Sequence, residues 1–282
     1  MQTLDDYINK VQTLPPAPRV LAELMPLLKE DDVDSGKIVQ LITFDPALTA
    51  KVLQRCNSAA SCSGRPVTDL EEAVMRVGFN HIYRLVALTL GEGMFSAAQR
   101  GYGIAAGELW QHSVTAALAA RLVARQQGAE ENVAFTAGLL HDIGKLVLST
   151  LLEGAYDKIL QEISAAGSSF LEAEKSILGV EHAEIGGRVL ARWKFPENLV
   201  AAVRHHHNPS QAGENYPLAA YVHVGDIIAH CLGQAQGLQS FAVRAHPEAM
   251  ELLEVGPREL EILIVEADAA LKESGFASQT HS

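Results

Sequence analysis

In the run GLLHDIGKLVL, residues 138–148, His141 and Asp142 stand side by side among apolar residues. Such a run is buried on folding, and an unsatisfied buried charge costs several kcal/mol. Three answers are open for this pair: a metal ion, a structural hydrogen bond, or solvent at a helix end. Polar interruptions of the same type recur beyond residue 107, at His112, His182, the triplet His205 to His207, and Asp226. Imidazole and carboxylate are the side chains that bind Fe, Mn, Zn and similar divalent ions. One histidine on an apolar face is ordinarily a satisfied core residue. Several, each from a different helix, are better read as ligands converging inside a bundle. With 11 histidines in the chain, chance clustering is the competing explanation.

These side chains need helices to carry them, and helical spacing runs through almost the whole chain. RVLAELMPLL puts Val20, Leu21, Leu24, Leu27 and Leu28 on one stripe. DSGKIVQLITFD opens on Asp34 and Ser35 as caps and stops at Asp45-Pro46, where Pro46 suits the first turn of the next helix. TDLEEAVMRVGF has Thr68 or Asp69 as its cap and closes at Gly78. Beyond residue 107 the helical segments include ENVAFTAGLLHDIGKLVLSTLL, FLEAEKSILG, EHAEIGGRVLARWKF and PENLVAAVRHHHNP. YPLAAYVHVGDIIAHCLG closes the series, and the small, polar SGFASQTHS frays. No segment alternates with period 2, so the expected fold is all-α. The glycine-bearing stretch from Ser96 to Gly107 divides it into an N-terminal lobe, residues 1–106, and a metal-site lobe, residues 107–282.

Composition narrows the function. The formal net charge of -12 argues against a nucleic-acid partner, which needs a basic face. No apolar run reaches the ~18 residues of a membrane span, and MQTLDDYINK, with early acidic residues and no apolar core, is not expected to act as a secretory signal. Cys56, Cys62 and Cys231 form no CxxC pair and read as small core residues in a reducing cytoplasm.

The residues also resemble a known family. HDIGK is similar to the motif of the HD superfamily of metal-dependent phosphohydrolases, and the order His112, His141-Asp142, Asp226 matches its H…HD…D pattern. His182 and the pair His206-His207 match the two-metal arrangement of the HD-GYP branch. LPPAPRVLAEL, DPALTAKVLQRCNSA, VTDLEEAVMRVGF and LWQHS resemble the HDOD domain, a helical module of bacterial signalling proteins. The likeness is close from Leu4 to Asn208 and weaker as far as Asp226.

The resemblance implies a pair of divalent ions, Fe or Mn before Zn or Ni. His112, His141, Asp142 and Asp226 would hold one, and Asp142 would bridge to a second on His182, His206 and His207. Asp142 and Lys145 would carry any catalysis, with Lys145 facing a phosphate from the same helix and Arg188 or Arg204 adding charge. Glu108, one turn before His112, is an outside candidate against its plainer reading as an exposed acid at a helix start. Successive side chains on a helix diverge by ~100°, so not all three adjacent histidines can point inward, and the resemblance, which matches His206-His207 to the family's pair, implies that His205 is the outward one. His223 and His230 flank Asp226 as second-rank candidates.

The expected function is a cytoplasmic HDOD signalling module with a metal pair and signalling proteins as partners. The alternative is a metal-dependent phosphohydrolase acting on a nucleotide or other phosphodiester. Cyclic di-GMP is disfavoured as a substrate, because no glycine precedes Tyr216-Pro217 and no basic, aromatic run follows Asp226.

Overall fold

In the computed structural model the described residues are 19–29, 35–58, 65–152, 170–234 and 245–274, without the side chains of 150 and 151. Asp34, Cys62 and the tail after residue 274 lie outside them. The fold is all-α: among the described residues the one β feature is an isolated bridge between Gln99 and Ile104. They fall into two compact units, within Pro16–Met94 and from Phe95 onward.

The first unit holds α1 (Arg19–Leu24), α2 (Ser35–Thr43), α3 (Pro46–Ser58), α4 (Leu70–Val77) and most of α5 (Phe79–Phe95). Its helix ends follow local chemistry. The Asp45 carboxylate accepts from Ala47 N and Leu48 N at 2.9 and 3.0 Å, starting α3 at Pro46. Asp69 caps α4 by accepting from Glu72 N at 2.8 Å, and Gly78 ends it. Leu21, Leu24, Ile38, Ile42, Val52 and Cys56 are fully buried in this unit.

The second unit holds α6 (Glu108–Gln126), α7 (Glu131–Leu140), α8 (Ile143–Leu152), α9 (Phe170–Leu178), α10 (His182–Arg192), α11 (Glu197–Arg204) and α12 (Tyr216–Cys231). Two further helices follow, α13 (Pro247–Leu252) and α14 (Pro257–Glu273). The expectation that the series closes with α12 is therefore corrected. Leu263, Ala267 and Leu271 give α14 a buried stripe, and it packs on α6 and α12.

Helix α6 is the axis of this unit, flanked by α7, α12 and α14. Its run of Ala116, Ala117, Ala119 and Ala120 is fully buried, so neighbouring backbones come close. At Gly225 an added Cβ would lie 2.6 Å from Ala116 O and 2.9 Å from Ala120 N. Only glycine permits that approach, and it delivers the next residue of α12, Asp226, to His112 one turn back along α6.

No described helix is long and apolar enough to cross a membrane. Cys231 is exposed at the end of α12, which corrects its reading as a core residue.

Candidate metal centre

The helical run through HDIGK is interrupted at its polar pair. Helix α7 ends at Leu140, His141 and Asp142 form a turn, and α8 starts at Ile143. The turn aims both side chains into the unit, where each is 1% exposed. The three histidines after α11 are likewise not helical. That helix ends at Arg204, so ~100° spacing does not govern the triplet. His206 and His207 both reach the cluster, and His205 joins none of the groups below.

Three side-chain sets present ligand atoms that all lie within 4.8 Å of one another: His112, His141 and Asp226; His182, His206 and His207; and His141, Asp142 and His206. Within the first, His112 Nε2 lies 3.1 Å from Asp226 Oδ1 and 3.2 Å from His141 Nε2. Within the second, His182 Nε2 and His207 Nε2 are 2.9 Å apart. Asp142 stands between them. Its Oδ2 is 3.3 Å from His141 Nε2, and its Oδ1 is 3.3 Å from His182 Nε2.

The Nδ1 atoms point the other way and are tethered. His112 donates to Gln234 O at 3.0 Å, His141 to Gly138 O at 2.7 Å, and His206 to Val203 O at 2.7 Å. His182 donates instead to the Glu174 carboxylate at 2.9 Å. A histidine that donates from Nδ1 offers its Nε2 lone pair to whatever it faces. Here the Nε2 atoms face one another and two carboxylates, an arrangement that calls for cations. Among the described residues, His206 Nε2 and Asp142 Oδ1 are buried without a hydrogen bond, whereas buried polar atoms are ordinarily partnered. The donor set of imidazole nitrogen and carboxylate oxygen fits a divalent transition metal.

Electrostatics within the cluster divide the histidines. Burial pushes His141 down, but Asp142 and Asp226 outweigh it and raise it to about 10. Burial also opposes the charge on His182, yet Glu174 and Asp142 raise it to about 9. Burial, reinforced by neighbouring histidines, holds His206 and His207 well below the ordinary value, and His112 is lowered by burial too. Burial likewise disfavours the charge on Asp142 and Asp226. For Asp142 the charges of His141 and Lys145 prevail, and for Asp226 those of its histidines, so both sit well below the usual carboxylate range.

The remaining candidates have other occupations. Lys145 is 3% exposed and donates to Asp142 Oδ2 at 2.6 Å, so its first contact is a carboxylate. Arg188 and Arg204 both reach Glu184, at 2.6 and 3.3 Å. Glu108 accepts from Ala105 N at 2.8 Å and is exposed, in keeping with its plainer reading. His230 Nδ1 lies 3.2 Å from Asp226 Oδ1. His223 donates to His206 O and accepts from His246 N, steadying the backbone of a cluster residue.

Sequence reasoning missed Glu174. It is fully buried on α9, and besides the His182 ring it accepts from His182 N at 2.9 Å and from Tyr102 OH at 2.5 Å. The available signal was an acid one residue from Ala173 on the buried stripe of FLEAEKSIL.

The chain is similar to an uncharacterized protein of Treponema pallidum, 29% identical over 226 residues that make up 76% of this chain and 42% of that one. It spans less than half the length of the curated relatives it matches. Among solved structures, it is similar to a Shewanella amazonensis protein assigned as a phosphohydrolase, at TM-score 0.68 and 25% identity, covering 96% of this chain and 95% of that one. It also shares its fold with a protein of Marinobacter aquaeolei assigned to signal transduction, at TM-score 0.73 and 23% identity, covering 99% of this chain and 62% of that one. The HDOD domain family matches residues 14–209, about two thirds of the sequence, and the chain belongs to that family.

Proposed function

We propose that this chain is a regulatory HDOD module that holds a pair of divalent transition-metal ions and acts through contacts with signalling proteins. His112, His141 and Asp226 hold one ion and His182, His206 and His207 the other, with Asp142 shared. The observation that carries this reading is the set of inward Nε2 atoms on rings tethered through Nδ1. Bound ions would supply Lewis acidity and an activated water. Enclosure supports a module over an enzyme: apart from half-buried His207, every one of these ligands is at most 2% exposed. The nearby cations are also engaged, Lys145 by Asp142 and the two arginines by Glu184.

Elemental analysis of protein purified without chelator tests this, with about one to two transition-metal ions expected per chain. Protein that stays metal-free after incubation with Fe²⁺, Mn²⁺, Zn²⁺ and Ni²⁺ would sink the reading. A screen of phosphodiesters should give no turnover.

Turnover in that screen would put the second reading first, a metal-dependent phosphohydrolase acting on a nucleotide-like substrate. What favours it is the shared position of Asp142, one oxygen toward each ligand group. Cyclic di-GMP should remain uncleaved. Lys145→Ala should then slow turnover by about 10²–10³-fold, as expected for losing one electrostatic contact to a transferring phosphate. A rate loss that only tracks metal loss would show that Lys145 acts through Asp142.

Metal uptake should strengthen with rising pH. His141 and His182 keep their protons up to about 10 and about 9, so at neutral pH an ion must displace them. Affinity therefore falls as pH drops, by about tenfold per pH unit for each proton displaced. Calorimetric titration in buffers of different ionisation enthalpy should show net proton release at pH 7. Uptake without release would contradict this.

A further inference from the structure

Among the candidate ligand histidines whose Nδ1 tether the structure defines, His182 is the one whose acceptor is a carboxylate. His112, His141 and His206 use backbone carbonyls. Glu174 grips His182 twice, accepting from its backbone N and from its Nδ1, both at 2.9 Å. The carboxylate is itself held from the far side, because Tyr102 OH donates to its Oε1 at 2.5 Å. Tyr102 is 1% exposed and stacks on Phe170, one turn before Glu174 on α9, with ring centroids 5.3 Å apart. Neither oxygen of Glu174 is spent on solvent, since the residue is fully buried.

A carboxylate acceptor fixes the ring's tautomer and orientation, and it makes the opposite nitrogen a stronger donor to a cation than a neutral carbonyl does. We propose that Glu174, braced by Tyr102, is a positioning residue that makes the His182–His206–His207 group the tighter of the two metal sites. The inference rests on the two-ion reading above and adds an asymmetry between the sites. Glu174 touches no ion and acts through the His182 ring.

Titration of the whole 282-residue chain with Co²⁺, followed by its visible absorption, reads the two sites as separate classes. The native chain should show a tight and a weaker class. Glu174→Gln is close in shape but neutral, and should weaken the tight class by about 10–100-fold while leaving the other unchanged. The class lost should be the one removed by His182→Ala, and its absorption band should shift. Tyr102→Phe should weaken the same class by a smaller factor. It also decides the matter if Glu174→Gln fails to fold, because it removes a single hydroxyl. Native-like titration in both variants, or equal weakening of both classes, would overturn the inference and leave the two-ion reading standing. A native chain that takes up no Co²⁺ would overturn both.

Discussion

Protein carrying Asp142→Ala should emerge from purification with almost no transition metal, where the native chain should carry about one to two ions. Asp142 is the one candidate ligand with an oxygen toward each group: Oδ2 lies 3.3 Å from His141 Nε2, and Oδ1 lies 3.3 Å from His182 Nε2. Removing it takes a ligand from both ions, whereas Asp226→Ala should cost only the ion at His112 and His141. A fold penalty comes with it, because the change also breaks the buried contact with Lys145 at 2.6 Å. Removing one partner of a buried ion pair costs about 3–5 kcal/mol. Lys145→Met, which breaks the same pair but leaves the Asp142 carboxylate in place, separates the two effects. Elemental analysis beside a denaturation curve reads both quantities, and an unchanged metal content in Asp142→Ala would place the ions elsewhere.

Gly144→Ala should destabilise the second unit by about 1–3 kcal/mol, the usual cost of overpacking, and should impair metal uptake with it. A Cβ at this position would lie 1.9 Å from His182 O and 2.8 Å from Gly186 N. Both are backbone atoms, so no side-chain rotation relieves the clash and α10 must move away from α8. His182 opens α10 and Asp142 immediately precedes α8, so that movement separates the two residues that face each other at 3.3 Å. Urea denaturation midpoints and Co²⁺ titration check the two parts. A variant as stable as the native chain, with the same metal affinity, would show that the close approach is not needed.

The types of the chemically interesting residues were legible in the chain because each breaks an apolar pattern. His112, His141, Asp142 and Asp226 sit where 3.6-residue periodicity calls for Leu, Val or Ala, and the structure buries all four. Helical content was legible for the same reason, and so were the break at Asp45-Pro46 and the cap at Asp69, since both depend on residues within one turn. The two C-terminal helices were not read from the sequence, although Leu263, Ala267 and Leu271 recur at four-residue spacing in α14.

Direction and company were decided only by tertiary structure. Whether HDIGK runs through one helix or turns between two depends on how α7 and α8 are held by α6 and α10, and period alone is the same in both cases. Glu174 looks like any acid of an amphipathic helix until folding sets α9 against the start of α10 and beside Tyr102, 72 residues earlier in the chain. Lys145 shows the same limit: spacing put it on the side of Asp142, but the packed interior turned its ammonium onto that carboxylate. A charge buried in low dielectric must end on a partner. The sequence determined which side chains needed partners, and the close crossings at Gly144 and Gly225 decided which partners they met.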